Sequence, residues 1–355
     1  MSDLFSPLTL GRITLSNRIV MAPMTRNRSP GAVPGDIVAA YYGQRAEAGL
    51  IITEGVSPSP NGLGYARIPG LFSAEQVAGW RAVTDAVHAK GGHIFVQLMH
   101  TGRASASANL PDGARVLGPS AVPLGQPVWT DSAGNQPAAT PEAMTEADID
   151  ATLDEYARSA ELAVEAGFDG VELHAANGYL IDQFLNTASN TRTDRWGGTV
   201  EGRLRFAVEV ARRSAARIGA DRVGMRISPY GVFNDMRPDA DMDALYAALA
   251  TELSTIGLVY VHVVDHSAMG AAKVPDAIKA TIRANFKGVY LLSGGYDRAR
   301  AEADLAAGLG ELVAFGRPFI ANPRLPTALR ENAPLQVADY ATFYTPGPAG
   351  YSDYV

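Results

Sequence analysis

The sequence predicts a single (β/α)₈ barrel. Eight short apolar runs each precede a longer amphipathic stretch, and several of the runs are β-branched and apolar throughout, as expected for strands covered on both faces. No linker divides the 355 residues into halves. None of the strand–helix junctions carries the G-x-G-x-x-G fingerprint of a doubly wound dinucleotide-binding fold. We therefore expect residues 1–355 to form one barrel domain.

The elements alternate regularly along the chain. Strands are predicted over Arg18–Met24, Leu50–Glu54, His93–Leu98, Gly170–His174, Val223–Ile227, Leu258–Val264, Gly288–Leu292 and Leu312–Phe315. Helices are predicted over Asp36–Ala48, Ala74–Lys90, Glu146–Glu165, Val200–Ile218, Asp241–Ile256, Val274–Ala284, Asp297–Ala306 and Asn322–Glu331. The first residues, Leu4 to Leu15, predict a hairpin that closes the barrel floor.

Two long loops interrupt the repeat. Met99–Thr145 follows the third strand and is rich in Pro, Gly, Ser and Asn, and Ala175–Gly198 follows the fourth strand. Loops of this length in a compact domain are usually functional lids or pocket walls.

Composition excludes several classes of protein. A net charge of -7 argues against nucleic acid as a partner, and the absence of cysteine removes disulfides, iron–sulfur clusters and cysteine nucleophiles. No apolar run approaches a membrane span, and the N-terminus lacks the pattern of a signal peptide, so a cytoplasmic enzyme is expected. The spacing of His262, Asp265 and His266 matches no zinc site, and no metal is expected.

The most informative stretch is the end of the fourth strand. A buried run, Gly170 to Leu173, leads directly into His174, Asn177 and Tyr179. In a barrel, polar side chains at the carboxyl ends of strands converge on one site. If the chain bends helically after His174, that residue and Asn177 share a face, because positions three apart are neighbours on a helix. The pair can donate to one oxygen, while a phenol keeps its proton at neutral pH.

Two glycine-containing turns follow the seventh and eighth strands. The first is Ser293-Gly294-Gly295, and the second is Gly316-Arg317. Glycine lets backbone N–H groups approach phosphate oxygens, and arginine supplies a bidentate cation. The pairing predicts a phosphate site.

Taken together, these motifs carry a resemblance over nearly the whole chain. The set comprises Ala22–Arg26, Gln97, His174-x-x-Asn177-x-Tyr179, Arg226, the two glycine turns, Arg192-x-Asp194-x-x-Gly197-Gly198 and the tail Thr342-Phe343-Tyr344…Gly350-Tyr351-Ser352-Asp353-Tyr354. It resembles the Old Yellow Enzyme family of FMN-dependent ene-reductases, in its threonine-type branch. The resemblance implies non-covalent FMN, NADPH or NADH as reductant, small activated alkenes as substrates, and a monomer or homodimer.

The resemblance also implies a role for each site residue. Those expected to hold the flavin and its phosphate are Pro23, Met24, Thr25, Gly55, Gln97, Arg226, Ser293, Gly294, Gly295, Gly316 and Arg317. His174 and Asn177 would donate to the carbonyl or nitro oxygen of the alkene. Hydride would pass from flavin N5 to the β-carbon, and Tyr179 would protonate the α-carbon from the opposite face.

The walls of the substrate pocket have several candidate residues. Tyr344 is either a pocket wall or a core aromatic, and Phe233 and Tyr65 are weaker candidates for the same wall. Met99 stands where many relatives carry tryptophan, so a roomier pocket is expected. His100 lies beside it without an assigned role.

Two other classes of function stay open at this stage. A Schiff-base lyase would need a lysine at a strand end, and Lys273 and Lys287 are poorly placed. A flavin-binding sensor without turnover would share the same motifs.

Overall fold

The computed structural model describes residues 3–354, and within that range eight parallel strands close into a barrel. Two short antiparallel strands come first, β1 (Leu8–Leu10) and β2 (Ile13–Leu15). The further strands in chain order are β3 (Ile19–Met21), β4 (Leu50–Val56), β5 (Ile94–Leu98), β6 (Leu117–Gly118), β7 (Pro127–Thr130), β8 (Gly134–Pro137), β9 (Glu142–Ala143), β10 (Gly170–Ala175), β11 (Val223–Ile227), β12 (Tyr260–Val263), β13 (Val289–Leu292) and β14 (Leu312–Phe315). The barrel runs β3-β4-β5-β10-β11-β12-β13-β14, and β14 pairs with β3 to close it.

Helices follow the barrel strands. They are α1 (Asp36–Gln44), α2 (Ala74–His88), α3 (Glu146–Glu165), α4 (Leu180–Leu185), α5 (Val200–Ile218), α6 (Met242–Ile256), α7 (Asp276–Asn285), α8 (Arg298–Ala306), α9 (Arg317–Ala321) and α10 (Leu325–Glu331). Short 3₁₀ turns occur at Pro30–Ala32, Pro60–Gly62, Ser107–Asn109, Ala220–Arg222, Phe233–Asp235, Ser267–Met269 and Tyr340–Thr342. The predicted (β/α)₈ barrel is therefore confirmed.

The element bounds differ from the predictions where proline or turn chemistry intervenes. The first barrel strand stops at Met21 rather than Met24, because Pro23 has no N–H for the ladder. The last helix begins at Leu325 rather than Asn322, with Pro326 in its first turn, where a missing N–H costs nothing. The sequence pattern missed the short helices α4 and α9, which are too brief to show a helical period.

The loop after β5 is built as a small unit of its own. An antiparallel pair, β7 with β8, and a parallel pair, β6 with β9, lie within it. The N-terminal hairpin packs its buried Leu10 and Leu15 against one apolar cluster with Leu50, Phe95 and Leu312. The hairpin therefore covers the barrel floor, as predicted.

The barrel interior contains a buried charged network. Glu172 on β10 is fully buried, and its carboxylate accepts hydrogen bonds from Gln97 Nε2 (2.7 Å), His262 Nδ1 (2.8 Å) and Tyr260 OH (3.1 Å). Burial acts to raise the pKa of Glu172, but His262, Arg226 and the Gln97 hydrogen bond outweigh it, so the pKa is lowered. Burial also lowers the pKa of His262. At neutral pH Glu172 is therefore ionised, and His262 is neutral and donates its Nδ1–H to that carboxylate. Arg226 is the neighbouring positive charge.

A second set of hydrogen bonds ties the C-terminal segment to the barrel. Arg28 is 2% exposed and donates to backbone carbonyls of the segment 342–349. The acceptors are Thr342 (2.8 Å), Phe343 (2.9 Å), Gly347 (3.0 Å) and Ala349 (2.9 Å). Arg26 adds hydrogen bonds to the carbonyls of Phe343 (3.0 Å) and Gly350 (2.7 Å), so buried guanidinium groups fix a stretch that has little regular structure.

Removing the charge of Glu172 should destabilise the barrel strongly. Replacing Glu172 with Gln puts an NH₂ group among donors and leaves a buried positive charge without its partner, so we expect a loss of about 3–5 kcal/mol. Urea unfolding at neutral pH measures this loss in the free energy of unfolding, and the variant Glu165→Gln, at an exposed position, is the control. Because the folded pKa of Glu172 is lowered, its contribution is present above the unfolded pKa and lost as pH falls through the folded value. The difference in the free energy of unfolding between Glu172→Gln and the wild type should therefore become smaller in acid. A difference that does not depend on pH would contradict an ionised Glu172.

Arg28→Lys tests the anchoring of the C-terminal segment. An ammonium has three donors and no fork geometry, so buried carbonyls lose partners and we expect a loss of about 2–4 kcal/mol. Limited proteolysis should show faster cleavage within residues 342–350. The control is Arg158→Lys, at a side chain that is 62% exposed; equal stability of the two variants would contradict the anchoring role.

Candidate active site

The end of β10 places His174 and Asn177 at the mouth of the barrel. The strand continues through Ala175, and Asn177 (φ 60°) and Gly178 (φ 70°) then form a left-handed turn before α4 begins at Leu180. The chain therefore does not bend helically directly after His174, which was the condition for His174 and Asn177 to share a helical face. Asn tolerates this conformation better than most residues, and a Cβ on Gly178 would lie 2.6 Å from Asn234 Cβ, so glycine is required there.

This turn is fixed by hydrogen bonds from three directions. Asn177 N–H donates to Ser228 Oγ (2.9 Å), and Asn234 Nδ2 donates to the backbone carbonyl of Asn177 (2.8 Å). The buried Asp182 accepts from Gly178 N–H (2.8 Å) and from Ser228 Oγ (3.2 Å). Burial raises the pKa of Asp182 to about 7. These contacts fix the backbone of Asn177, from which its side chain projects.

His174 and Tyr179 lie against each other in the buried part of the site. Their ring centroids are 4.9 Å apart in an edge-on arrangement, and the two residues are 3% and 7% exposed. Burial, reinforced by Arg226, holds the pKa of His174 well below its ordinary value. Burial and the neighbouring phenol of Tyr65 raise the pKa of Tyr179 well above its ordinary value. At neutral pH the imidazole is therefore uncharged and the phenol keeps its proton.

Strand register brings Arg226 next to His174. Arg226 on β11 pairs in register with His174 on one side and His262 on the other. Burial lowers the pKa of Arg226, and Glu172 offsets this effect. Gln97 is 2% exposed and donates its amide to Glu172, which turns its carbonyl away from that carboxylate. The Glu172 network thus orients the Gln97 amide by a hydrogen bond and places a negative charge near Arg226. Both residues were expected to meet a flavin pyrimidine ring.

Several buried polar atoms of the site lack partners. Within residues 3–354, Nδ1 of His174 and Nε of Arg226 are buried and have no hydrogen-bond partner. Unpaired buried polar atoms are costly, and a polar ligand bound at this end of the barrel would satisfy them. The donor set therefore fits a ring with carbonyl and ring-nitrogen acceptors.

The segment after β3 forms one side of the site. Pro23 is buried, and Met24 and Thr25 are half-buried. Arg26 N–H donates to the buried Glu54 carboxylate (3.2 Å), which holds the segment beside β4. Burial raises the pKa of Glu54 to about 7.

Gly55 and Met99 are in direct contact. A Cβ on Gly55 would lie 2.4 Å from Met99 Sδ, so any larger residue at 55 would displace that side chain. Met99 is 1% exposed and packs in one apolar cluster with Leu63 and Tyr179. Met99 thus forms part of the apolar wall beside Tyr179.

The two glycine turns follow adjacent strands, β13 and β14. Gly294 and Gly295 both have positive φ, and Arg300 donates to the Gly294 carbonyl (2.7 Å). Gly316 has open space, since a Cβ there would meet Met24 Sδ at 3.7 Å as its nearest neighbour. Arg317 is exposed and has no ion pair within the described chain. Ser293 is half-buried, and the pair of turns leaves room for an anion.

The aromatic candidates lie near the opening. Tyr65 packs edge-on against Tyr179 with ring centroids 5.9 Å apart. Tyr344 is 52% exposed and Phe233 is 48% exposed, so neither is a core aromatic. Tyr344 belongs to the segment that Arg28 anchors.

The histidines divide into structural and site residues. His100 is fully buried, its Nδ1 accepts from Gly102 N–H (3.0 Å), and burial lowers its pKa to about 3; it shapes the loop after β5. His262 belongs to the Glu172 network, and His266 contacts Asn177. No cluster of side chains suited to a metal ion occurs among residues 3–354. In the same range no helix is long and apolar enough to cross a membrane.

Sequence reasoning missed Glu172, Tyr260 and His266. The alternation of side chains along a strand could have identified Glu172 and Tyr260. They lie two residues before His174 and His262, respectively, and therefore share the inward face of their strands. No local pattern pointed to His266, which reaches Asn177 across 89 residues of sequence.

Comparison with known proteins identifies the family to which the chain belongs. Residues 3–336 match the model of the NADH:flavin oxidoreductase / NADH oxidase family. Chanoclavine-I aldehyde reductase of Penicillium roqueforti (strain FM164) is 45% identical, over 100% of this chain and 96% of that protein. 12-oxophytodienoate reductase 1 of Oryza sativa subsp. japonica is 40% identical, over 99% of this chain and 92% of that protein.

Solved structures superpose closely over the full length. Morphinone reductase has a TM-score of 0.96 at 42% identity and covers 100% of this chain and 96% of its own. The Old Yellow Enzyme homologue of Zymomonas mobilis has a TM-score of 0.95 at 39% identity, covering 99% of both chains. The chain therefore belongs to the NADH:flavin oxidoreductase / NADH oxidase family, the Old Yellow Enzyme family of FMN-dependent oxidoreductases.

Proposed function

We propose that the protein reduces the activated C=C bond of α,β-unsaturated carbonyl or nitro compounds, using FMN and NADPH or NADH. The observation that carries the proposal is the arrangement around His174: a neutral imidazole and the Asn177 amide at one barrel mouth, with a protonated Tyr179 beside them. The names of two relatives, an oxophytodienoate reductase and an aldehyde reductase, indicate carbonyl compounds as substrates of those proteins. Morphinone reductase has been solved with tetrahydroNAD, which supports a nicotinamide reductant here.

FMN would lie across the open end of the barrel. Gln97 and Arg226 would contact its pyrimidine edge, Pro23, Met24, Thr25 and Gly55 would line it, and Ser293, Gly294, Gly295, Gly316 and Arg317 would hold its phosphate. When bound, FMN supplies the two-electron chemistry, accepting a hydride from reduced nicotinamide and delivering one to the β-carbon of the alkene. Arg226, with its charge balanced by Glu172, would stabilise negative charge on the pyrimidine edge.

His174 and Asn177 would each donate a hydrogen bond to the oxygen of the acceptor. Because the pKa of His174 is held well below its ordinary value, the imidazole donates one N–H without carrying a charge. The Asn177 amide adds a second donor from a fixed turn. Donors aimed at a developing oxyanion are worth about 2.7–4 kcal/mol each, and they would make the β-carbon electrophilic. Tyr344 and Met99 would bound the substrate.

Tyr179 would give the proton to the α-carbon. Its raised pKa keeps the phenol protonated throughout the neutral range, which a general acid requires. Two lysines were considered for a lyase. Lys273 is 62% exposed and paired with Asp276, and Lys287 is also exposed, so neither offers a competing nucleophile.

Tyr179→Phe separates the two half-reactions and tests the proposal. The yellow wild-type protein should bleach anaerobically with NADPH or NADH and recover its colour on adding cyclohexenone. The variant should bleach at a similar rate but recover on the order of 10²-fold more slowly, because it lacks the proton donor. Stopped-flow absorbance measures both steps.

The matched control is Tyr246→Phe, which removes the hydroxyl of another buried phenol, 2% exposed, on α6. It should leave both rates unchanged. Equal recovery rates in Tyr179→Phe and the wild type would assign the proton to another source, such as water. A wild-type protein that bleaches but never recovers its colour with enones, maleimides or nitroalkenes would favour a flavin sensor.

Replacing both His174 and Asn177 with Ala should remove the two hydrogen bonds that are donated to the ligand oxygen. A phenol that binds to the oxidised flavoprotein through these donors gives a long-wavelength charge-transfer band. We expect its affinity to fall by about 10²-fold or more, because two donors to a charged oxygen are lost. The FMN content and the spectrum without phenol serve as controls. A band retained at wild-type affinity would contradict the role of the pair.

A further inference from the structure

His266 contacts the side chain of Asn177. It lies directly after Asp265 in the loop that follows β12, and its Nε2 is 2.8 Å from Asn177 Oδ1. No other hydrogen bond to Asn177 Oδ1 is present within residues 3–354. The other hydrogen bonds at this turn involve the backbone of Asn177. His266 is therefore the group that can set the direction of the Asn177 amide.

A carboxamide presents two chemically opposite faces of nearly equal shape. Its oxygen accepts and its NH₂ group donates, so a partner fixed on one side determines what the other side offers. When His266 Nε2 carries a hydrogen, it donates to Asn177 Oδ1, and the NH₂ group is left to donate elsewhere. An amide turned the other way would present its own oxygen to an acceptor oxygen, which is repulsive.

We propose that His266 is a positioning residue that holds the Asn177 amide with its NH₂ group toward the oxygen of the bound acceptor. This inference rests on the proposed function, since it specifies how one of the two oxygen donors is aimed. Both the neutral Nε2–H form and the imidazolium form of His266 donate from Nε2, and both keep the amide in this direction.

The loop holds His266 in place without help from Asn177. Asp265 accepts from Lys279 Nζ (2.5 Å) on α7 and from Ser267 N–H (3.0 Å). On its other side the His266 ring faces Phe233, with ring centroids 6.3 Å apart. Removing the imidazole therefore takes away the contact with Asn177 while the loop keeps its own anchors.

A double-mutant cycle on phenol binding tests the proposal. In the FMN-loaded protein, His266→Ala should weaken the binding of p-chlorophenol, read from its charge-transfer band, by about three- to tenfold, the range for one hydrogen bond. In the Asn177→Ala background the same change should cost less than about twofold, because the group that His266 orients is already absent. His266→Gln keeps an amide donor at this position and should recover part of the loss.

The matched control is Met269→Ala in the same loop, where the side chain is 53% exposed; its phenol affinity should equal that of the wild type. Wild-type affinity in His266→Ala would overturn the proposal. An equal loss with and without Asn177 would overturn it too, because the effect would then not pass through the amide. If His266→Ala fails to retain FMN, His266→Gln takes its place, with and without Asn177→Ala. The proposal then requires that the loss of phenol affinity depends on the presence of Asn177. A wild-type holoprotein that gives no phenol band would instead contradict the proposed function, and the positioning role would fall with it.

Discussion

The site depends on one ionised carboxylate in the barrel interior. Glu172 is fully buried, which acts to raise its pKa, yet His262, Arg226 and the hydrogen bond from Gln97 together lower it. A buried charge is tolerated only when it is paired and fully hydrogen-bonded. By meeting that condition, Glu172 determines the direction of the Gln97 amide, the proton position on His262 and the charge balance of Arg226. Residues from four neighbouring strands are thus held in one arrangement.

Next to this network, burial shifts the pKa values of two neighbouring rings in opposite directions and leaves both rings uncharged. The same exclusion of water that keeps His174 uncharged keeps Tyr179 protonated, because burial disfavours the charged form of either group. The left-handed turn at Asn177 and Gly178 then sets the amide next to them. At neutral pH the folded site therefore holds an uncharged imidazole, an amide and a protonated phenol side by side, which is what the proposed oxygen donation and proton supply require.

Sequence periodicity was sufficient for the barrel and for the strand ends that form the site. The runs at Val223–Ile227 and Leu312–Phe315 match strands β11 and β14 to the residue, since buried parallel strands are apolar throughout. The conformation after His174 could not be predicted from the sequence, because the turn at Asn177 is held by Ser228, Asn234 and Asp182, which come from elsewhere in the chain. The contact of His266 with Asn177 was invisible for the same reason: it exists only once β10 and β12 are placed around the barrel.

The addition geometry tests the central claim most directly. A cyclic enone with a substituent on its α-carbon and a deuterium label on its β-carbon is reduced in D₂O, with unlabelled nicotinamide as reductant, and the product is analysed by NMR. If Tyr179 protonates from the side opposite the flavin, deuterium at the α-carbon and hydrogen at the β-carbon should lie on opposite faces of the ring. Delivery of both to the same face, or a random mixture at the α-carbon, would contradict the arrangement of His174, Asn177 and Tyr179 described above.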